Sequence, residues 1–163
     1  MARMTVKPSE NYQFMLSRLS QNTEPMLRAA VFEGTAAVTD EIRARIKSLP
    51  EDRYRLLRPG EQFRGVTPRQ KQALLDGLGI ASIERDARGN VNTKVGFAGY
   101  MENSATKKYP RGLPIPMLAR AVESGSSVRV KTPYVRTAVR AAKKAAVDAM
   151  EKSVDKSIQK MMK

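Results

Sequence analysis

A sustained helical pattern of apolar residues near the C-terminus places the strongest constraint on the fold. The pattern steps by three or four residues through Val135, Val139, Ala142, Ala146, Met150, Val154 and Ile158. This spacing puts the side chains on one helical face, so a long final helix is expected at about 132–161. Thr132 is expected to cap it, with Pro133 at its first position. Because the first half of the face is rich in alanine, another helix can approach closely.

A second long helix is predicted at about 25–49. Its apolar face comprises Leu27, Val31, Val38, Ile42, Ile46 and Leu49. Pro25 suits the first turn, after an interruption at 21–25 that separates this helix from a short one capped by Ser9. Gly34 lies in a gap of the apolar series, which indicates close contact with another element. Across the two long helices we expect burial of Leu27, Val31, Val38, Ile42, Val135, Val139 and Met150.

One or two short helices are predicted between the long ones. Thr67, followed by proline and then by Gln70, has the pattern of a capping box that opens a helix at 68–78. Gly79 is expected to end that helix. Residues 114–124 are expected to form either a second short helix or an irregular apolar segment, which would pack Ile115, Leu118 and Val122.

The remaining segments predict a small antiparallel sheet. Residues 80–84 and 91–97 are strand candidates, and the glycine-containing segment 86–90 is the turn between them. Alternation at 128–130 predicts a last strand. Residues 99–112 have no periodicity and carry basic residues, which predicts a mobile basic loop.

These elements indicate a single α+β domain over residues 1–163, with two long helices packed on the sheet and short extra helices. The sequence has no cysteine and no histidine, so disulfides and the commonest metal ligands and general bases are excluded. Ser126 and Ser127 near Lys131 are read as turn formers, not as a Ser–Lys nucleophile. We therefore expect no enzyme activity, no cofactor and no metal.

The net charge of +14 predicts attraction to a polyanion or an acidic protein surface. No apolar run reaches the length of a membrane span, and the N-terminus lacks the apolar region of a signal peptide, so we expect no membrane contact. The candidate residues for contact with DNA or a partner are Lys107, Lys108, Arg111, Arg129, Lys131, Arg136 and Arg140.

The segment from Ile115 to Ala138 carries a resemblance to a known family. Residues Ala121 to Ser126 read AVESGS, and a basic step then leads to Pro133-Tyr134-Val135-Arg136 at the start of the final helix. This arrangement resembles the C-terminal signature of small basic neck proteins of tailed phages, which include minor tail and tail-completion proteins. Ser124 stands where that family usually has an aromatic residue.

The resemblance implies a structural virion protein without catalytic chemistry. Copies would form a ring, with a hexamer matching the symmetry of the tail, and would join the head connector to the tail terminator or tail tube. Such a ring needs a heterologous interface between neighbouring copies. The protein would lie in the neck of the virion, and in the host cytoplasm during assembly. Its basic surface would face either genomic DNA in the channel, without sequence specificity, or an acidic protein neighbour.

The alternative function is a small basic DNA-binding protein acting on nucleic acid directly. The charge alone supports backbone phosphate binding. The sequence has no evident zinc finger and no aromatic platform for reading bases. Oligomeric state and the sequence preference of DNA binding would separate the two functions.

Overall fold

The computed structural model describes residues 10–53 and 56–162. Four helices and six short strands occur in these ranges. Their bounds are α1 Glu10–Lys47, α2 Pro68–Gly77, β1 Leu78–Ile80, β2 Glu84–Arg85, β3 Val91–Asn92, β4 Val95–Phe97, β5 Tyr100–Met101, β6 Leu113–Pro114, α3 Ile115–Ser124 and α4 Tyr134–Met161. The predicted α+β class with two long helices is confirmed.

The first long helix is longer than predicted. Helix α1 runs without interruption from Glu10 to Lys47, so the break expected at 21–25 is wrong. Pro25 lies exposed inside the helix, where it removes one backbone hydrogen bond and costs about 3 kcal/mol locally. The contact of α1 with α4 is the most extensive between any two elements, and it outweighs this local cost. Ser9, the expected cap, lies outside the described residues.

Small side chains dominate the contact between α1 and α4. Ala30, Thr35 and Thr39 of α1 are buried, and the Thr39 hydroxyl donates to the carbonyl of Thr35 at 2.8 Å. A Cβ atom at Gly34 would overlap the side chain of Met150, which confirms the predicted close contact at this glycine. The two helices thus approach closely because α1 presents small residues at the crossing, where Met150 of α4 packs against Gly34.

The buried face of α4 differs from the prediction. The buried residues are Tyr134, Ala138, Ala142 and Ala146. Val139 is 46 % exposed and Leu27 is 39 % exposed, so their expected burial is wrong for the single chain. The helix turns its smallest residues and Tyr134 toward α1 because the close approach leaves no room for a valine stripe.

The core lies where the C-terminal part of α1 meets the N-terminal part of α4. Helices α2 and α3 and the pair β1–β4 cover this part of the two helices. Its fully buried side chains include Ile46, Leu74 and Val66. Ile115, Leu118 and Val122 are also buried, which confirms the predicted packing of α3.

The strands form three separate antiparallel pairs instead of one sheet. Strand β1 pairs with β4, β2 with β3, and β5 with β6. The turn predicted at 86–90 is confirmed, because the Asp86 carboxylate accepts from the backbone N–H groups of Arg88 and Asn90 at 2.9 and 2.8 Å. Gly89 has a φ of +84°, which glycine adopts without strain.

Two predicted boundaries in this region are wrong. Gly79 lies inside β1 and is not a helix cap, because the chain leaves α2 directly into extended structure at Leu78. The strand expected at 128–130 is reduced to two isolated bridges of Arg129, one to Phe63 and one to Ser126. There the Phe63 N–H donates to the Val128 carbonyl and the Val130 N–H donates to the Phe63 carbonyl, both at 2.9 Å.

The segment 99–112 has defined ends in this structure. Strands β5 and β6 pair at its base, with Met101 opposite Leu113. At its tip, Thr106 and Tyr109 exchange backbone hydrogen bonds, both at 3.0 Å. Its predicted mobility in solution stays a prediction.

Candidate interaction surface

The basic residues occupy one long stretch of the sequence. Residues 103–147 contain ten lysines and arginines and a single acidic residue, Glu123. The fold distributes these cations over the loop between β5 and β6, helix α3, the turn that precedes α4, and the first half of α4. The predicted contact residues therefore fall into three groups with different surroundings.

Lys107, Lys108 and Arg111 lie exposed on the loop between β5 and β6. The loop is held from within: the Ser104 hydroxyl accepts from the Leu113 N–H at 2.8 Å. The Lys108 ammonium lies 5.6 Å from the centre of the Tyr109 ring. None of the three cations forms an ion pair with any residue the structure describes. Their charge is thus available to an anionic surface.

Arg129 has a structural role that the sequence did not indicate. Its half-buried guanidinium donates to the Gly65 carbonyl and, at 2.9 Å, to the Gln70 side-chain oxygen. It also lies 5.9 Å from the centre of the Phe63 ring. Burial lowers the pKa of Arg129, and the Asp52 carboxylate opposes that shift. Arg129 fastens the turn before α4 to the start of α2, which makes it a weak candidate for an external contact.

The start of α4 is capped by a residue of another helix. Pro133 occupies the cap position and makes no side-chain cap bond, so the predicted cap at Thr132 is wrong. The Glu123 carboxylate instead accepts from the Val135 N–H at 2.8 Å and from the Arg136 N–H at 3.2 Å. A carboxylate at this position satisfies free N–H groups and complements the helix dipole.

Glu123 also binds the side chain of Arg136, whose Nε lies 3.2 Å from Oε1. The Glu123 side chain is only 14 % exposed. Glu123 is the one acidic residue in this basic stretch, but its partners lie 12 and 13 residues away, so no local sequence pattern indicated this role. Arg136 is therefore partly engaged in an ion pair at the start of its own helix.

Tyr134 lies beside this cap and is buried. Its ring packs edge-on against Phe97 with 6.2 Å between the ring centres. Its hydroxyl has no hydrogen-bond partner among the described residues. Burial raises the pKa of Tyr134, and the negative charge of Glu123 raises it further. The ring therefore serves packing and stays neutral over the ordinary pH range.

Lys131 and Arg140 are both exposed. Arg140 lies one helical turn beyond Arg136, and Lys143 follows at helical spacing. Together with Val139 and Val147 these α4 cations line an open depression of about 530 Å³. The structure thus brings Arg136 and Arg140 to one surface and leaves the loop cations on another element.

Two kinds of feature are absent from the described residues. Among them no group of three or more acidic side chains is arranged to hold a metal ion. In the same ranges no helix is long and apolar enough to cross a membrane. The cations, by contrast, can bind carboxylates or phosphates directly.

Comparison of this chain with family models, with curated proteins and with solved structures gives no match.

Proposed function

We propose that this chain is a structural virion protein of a tailed phage, which forms a ring in the neck and joins the tail to the head connector. The sequence resemblance at residues 115–138 suggests this class. The observation that carries the proposal is the set of large apolar side chains that the two long helices leave exposed.

Several large apolar residues lie exposed on the two long helices. On α1, Phe14 is 65 % exposed and Phe32 is 50 % exposed, with Leu16 and Leu27 also exposed. On α4, Val139 and Val147 are exposed. Extensive exposed apolar surface marks sites of protein association. A closed ring needs two different patches on each copy, and the two helices supply candidates for both.

The turn before α4 supports assembly over catalysis. Ser126 and Arg129 exchange backbone hydrogen bonds at 2.9 and 3.2 Å, so the serines belong to a tight turn. This agrees with the interpretation of Ser126 and Ser127 as turn formers. The proposed protein therefore acts through contacts that form in a set order, without bond-breaking chemistry.

Deletion in a phage that encodes the chain tests the proposal. Purified virions should contain the protein, and deletion should yield separate heads and tails that addition of the purified protein joins. Joined, infectious particles in the deletion strain would contradict the proposal. So would absence of the chain from purified virions.

Direct binding of DNA is the second candidate, and the unpaired cations at Lys107, Lys108 and Arg111 favour it. If they contact phosphates, changing all three to glutamine should weaken binding to every duplex about equally and reduce its salt dependence. If they contact a protein neighbour, the triple variant should bind DNA as before and join heads to tails poorly. A compact dimer with a preferred DNA site would favour the DNA-binding function over the ring.

A further inference from the structure

An open groove runs along the first half of α4. Its first part, of about 390 Å³, lies between α3, β4 and α4 and includes Phe97 and Ala119. Its second part, of about 530 Å³, lies between α1 and α4 and includes Val38. Val135 and Arg136 line both parts, so the two depressions lie side by side along α4.

The floor of this groove is apolar. Val139 and Val147 are 46 % and 45 % exposed, although they lie on α4, which packs extensively against α1. Val95, Phe97 and Val135 are half-buried along the same floor. Apolar side chains in a concave surface favour a partner that brings apolar side chains of its own.

The rim of the groove is positively charged. Its cations are Arg120, Arg136, Arg140 and Lys143. The one acidic residue among those that line it is Glu123, whose carboxylate is engaged by two backbone N–H groups and by Arg136. The groove therefore combines an apolar floor with Arg120, Arg140 and Lys143, which form no ion pair with any described residue.

The dimensions suit a short helix. From Val135 to Val147 the axis of α4 advances about 18 Å, which is a little over three helical turns. A partner helix of about twelve residues would match this length, with apolar residues at helical spacing on one face. Acidic residues on its flanks would meet the cationic rim.

We propose that this groove binds an acidic amphipathic helix from a different protein. A second copy of this chain is disfavoured at this groove, because the rim is cationic and the chain carries a net charge of +14. Its acidic residues Glu24, Asp40 and Glu41 are already paired with arginines of α1. A nucleic acid would use the cations but leave Val139 and Val147 exposed. The inference depends only on the groove and holds whether or not the protein forms a neck ring.

The probe is a fluorescein-labelled peptide of about twelve residues, with leucines on one helical face and glutamates elsewhere. It should bind the full chain with a Kd on the order of 50 µM at low salt. A scrambled peptide of the same composition, without a leucine face, should bind at least fivefold more weakly. Equal binding of the two peptides would overturn the proposal, since charge alone would then explain it.

Two groove variants separate the floor from the rim. Val139→Asp and Arg140→Glu should each weaken peptide binding at least tenfold, because each places a carboxylate against an acidic partner. Matched controls lie outside the groove: Val128→Asp changes an exposed valine and Lys156→Glu an exposed lysine of α4. Both controls should stay within about threefold of the original affinity, since rim charges act at longer range.

Two further measurements distinguish the proposed partner helix from other occupants of the groove. Chemical-shift changes in the unaltered protein should fall on residues 95–97 and 135–147 when the peptide is added; shifts confined to the loop at 102–112 would contradict the proposal. Sedimentation should show the same mass for the original chain and Val139→Asp. A loss of oligomers in that variant would assign the groove to a second copy instead. If duplex DNA competes with the peptide, and this competition depends on Arg140 but not on Val139, the groove would be assigned to nucleic acid.

Discussion

The two ends of the α1–α4 pair have different surroundings, although the same two helices form both. At the inner end, Ile42 and Ile46 are 2 % and 0 % exposed, because α2, α3 and the β1–β4 pair form a further layer. At the outer end, which contains residues 10–34 of α1, Phe14 and Phe32 are at least half exposed. A periodic apolar face therefore predicts a helix, whereas its burial depends on what covers it.

The contacts of the outer end with the rest of the fold are polar. Arg28 donates to the Ile83 carbonyl at 2.8 Å, and Arg85 lies 3.6 Å from the Glu24 carboxylate. Surface pairs of this kind contribute at most about 1 kcal/mol each. The inner end therefore provides most of the stability, and the outer end is free to serve assembly.

The largest expected effect comes from a charge placed at the inner end. Ile42→Asp buries a carboxylate without a partner and should lower the free energy of unfolding by about 4 kcal/mol or more. The matched change at the outer end, Leu27→Asp, should cost about 1 kcal/mol or less because this residue is already 39 % exposed. Urea denaturation followed by circular dichroism measures both. Equal losses would remove the distinction between the two ends.

The inner and outer ends of the α1–α4 pair meet at Gly34, where the two helices approach closely. Gly34→Leu should cost about 2 kcal/mol, because its side chain would collide with Met150. Combining it with Met150→Ala should recover part of that loss, as expected for residues in contact. Gly79→Ala is the control, since a Cβ atom there meets no atom within 4 Å. Additive effects of the Gly34 and Met150 changes in thermal melts would contradict the packing.

The Glu123 carboxylate caps α4 at the inner end of the helix pair. Glu123→Ala removes acceptors from two N–H groups and should cost about 1–2 kcal/mol. Glu151→Ala, an exposed glutamate of the outer α4, should change stability by less than about 0.5 kcal/mol. Protection of the first α4 amides from hydrogen exchange should fall in the Glu123 variant alone. Unchanged protection at Val135 and Arg136 would argue against the cap.

The smallest effect is expected at Tyr134. Tyr134→Phe removes a buried hydroxyl without a described partner and should leave stability unchanged or raise it by about 1 kcal/mol at neutral pH.

The contribution of Tyr134 to stability should decrease as pH rises. The folded state raises the pKa of Tyr134 above the usual 10.0, so the unfolded chain loses this proton first as pH rises. Stability should then fall by roughly 1 kcal/mol between pH 9 and 11, and more so in the original chain than in Tyr134→Phe. Identical pH profiles for the two proteins would contradict the burial of this hydroxyl.

Local signals in the sequence predicted the elements better than their packing. The capping box at Thr67 and the turn at 86–90 are confirmed because each depends on neighbouring residues alone. The break at Pro25 was wrong because the contact with α4 outweighs a local penalty. The valine stripe of α4 was wrong because the close helix crossing selects alanine for the buried face.

The candidate surface was predictable in composition but not in geometry. The basic stretch located Lys107, Lys108, Arg111 and Arg140, all of which are exposed. The internal roles of Arg129 and Glu123 depend on partners between 12 and 64 residues away in the chain, which no local pattern reveals. The groove likewise exists only where three separate elements meet.

Cryo-electron microscopy of the assembled particle tests most directly whether the outer end of the helix pair serves assembly. The account predicts a ring of this chain between head connector and tail. In that ring, neighbouring chains would cover Phe14 and Phe32, and the inner core around Ile46 would be unchanged. A neck that lacks this chain, or a ring in which Phe14 and Phe32 remain in solvent, would contradict it.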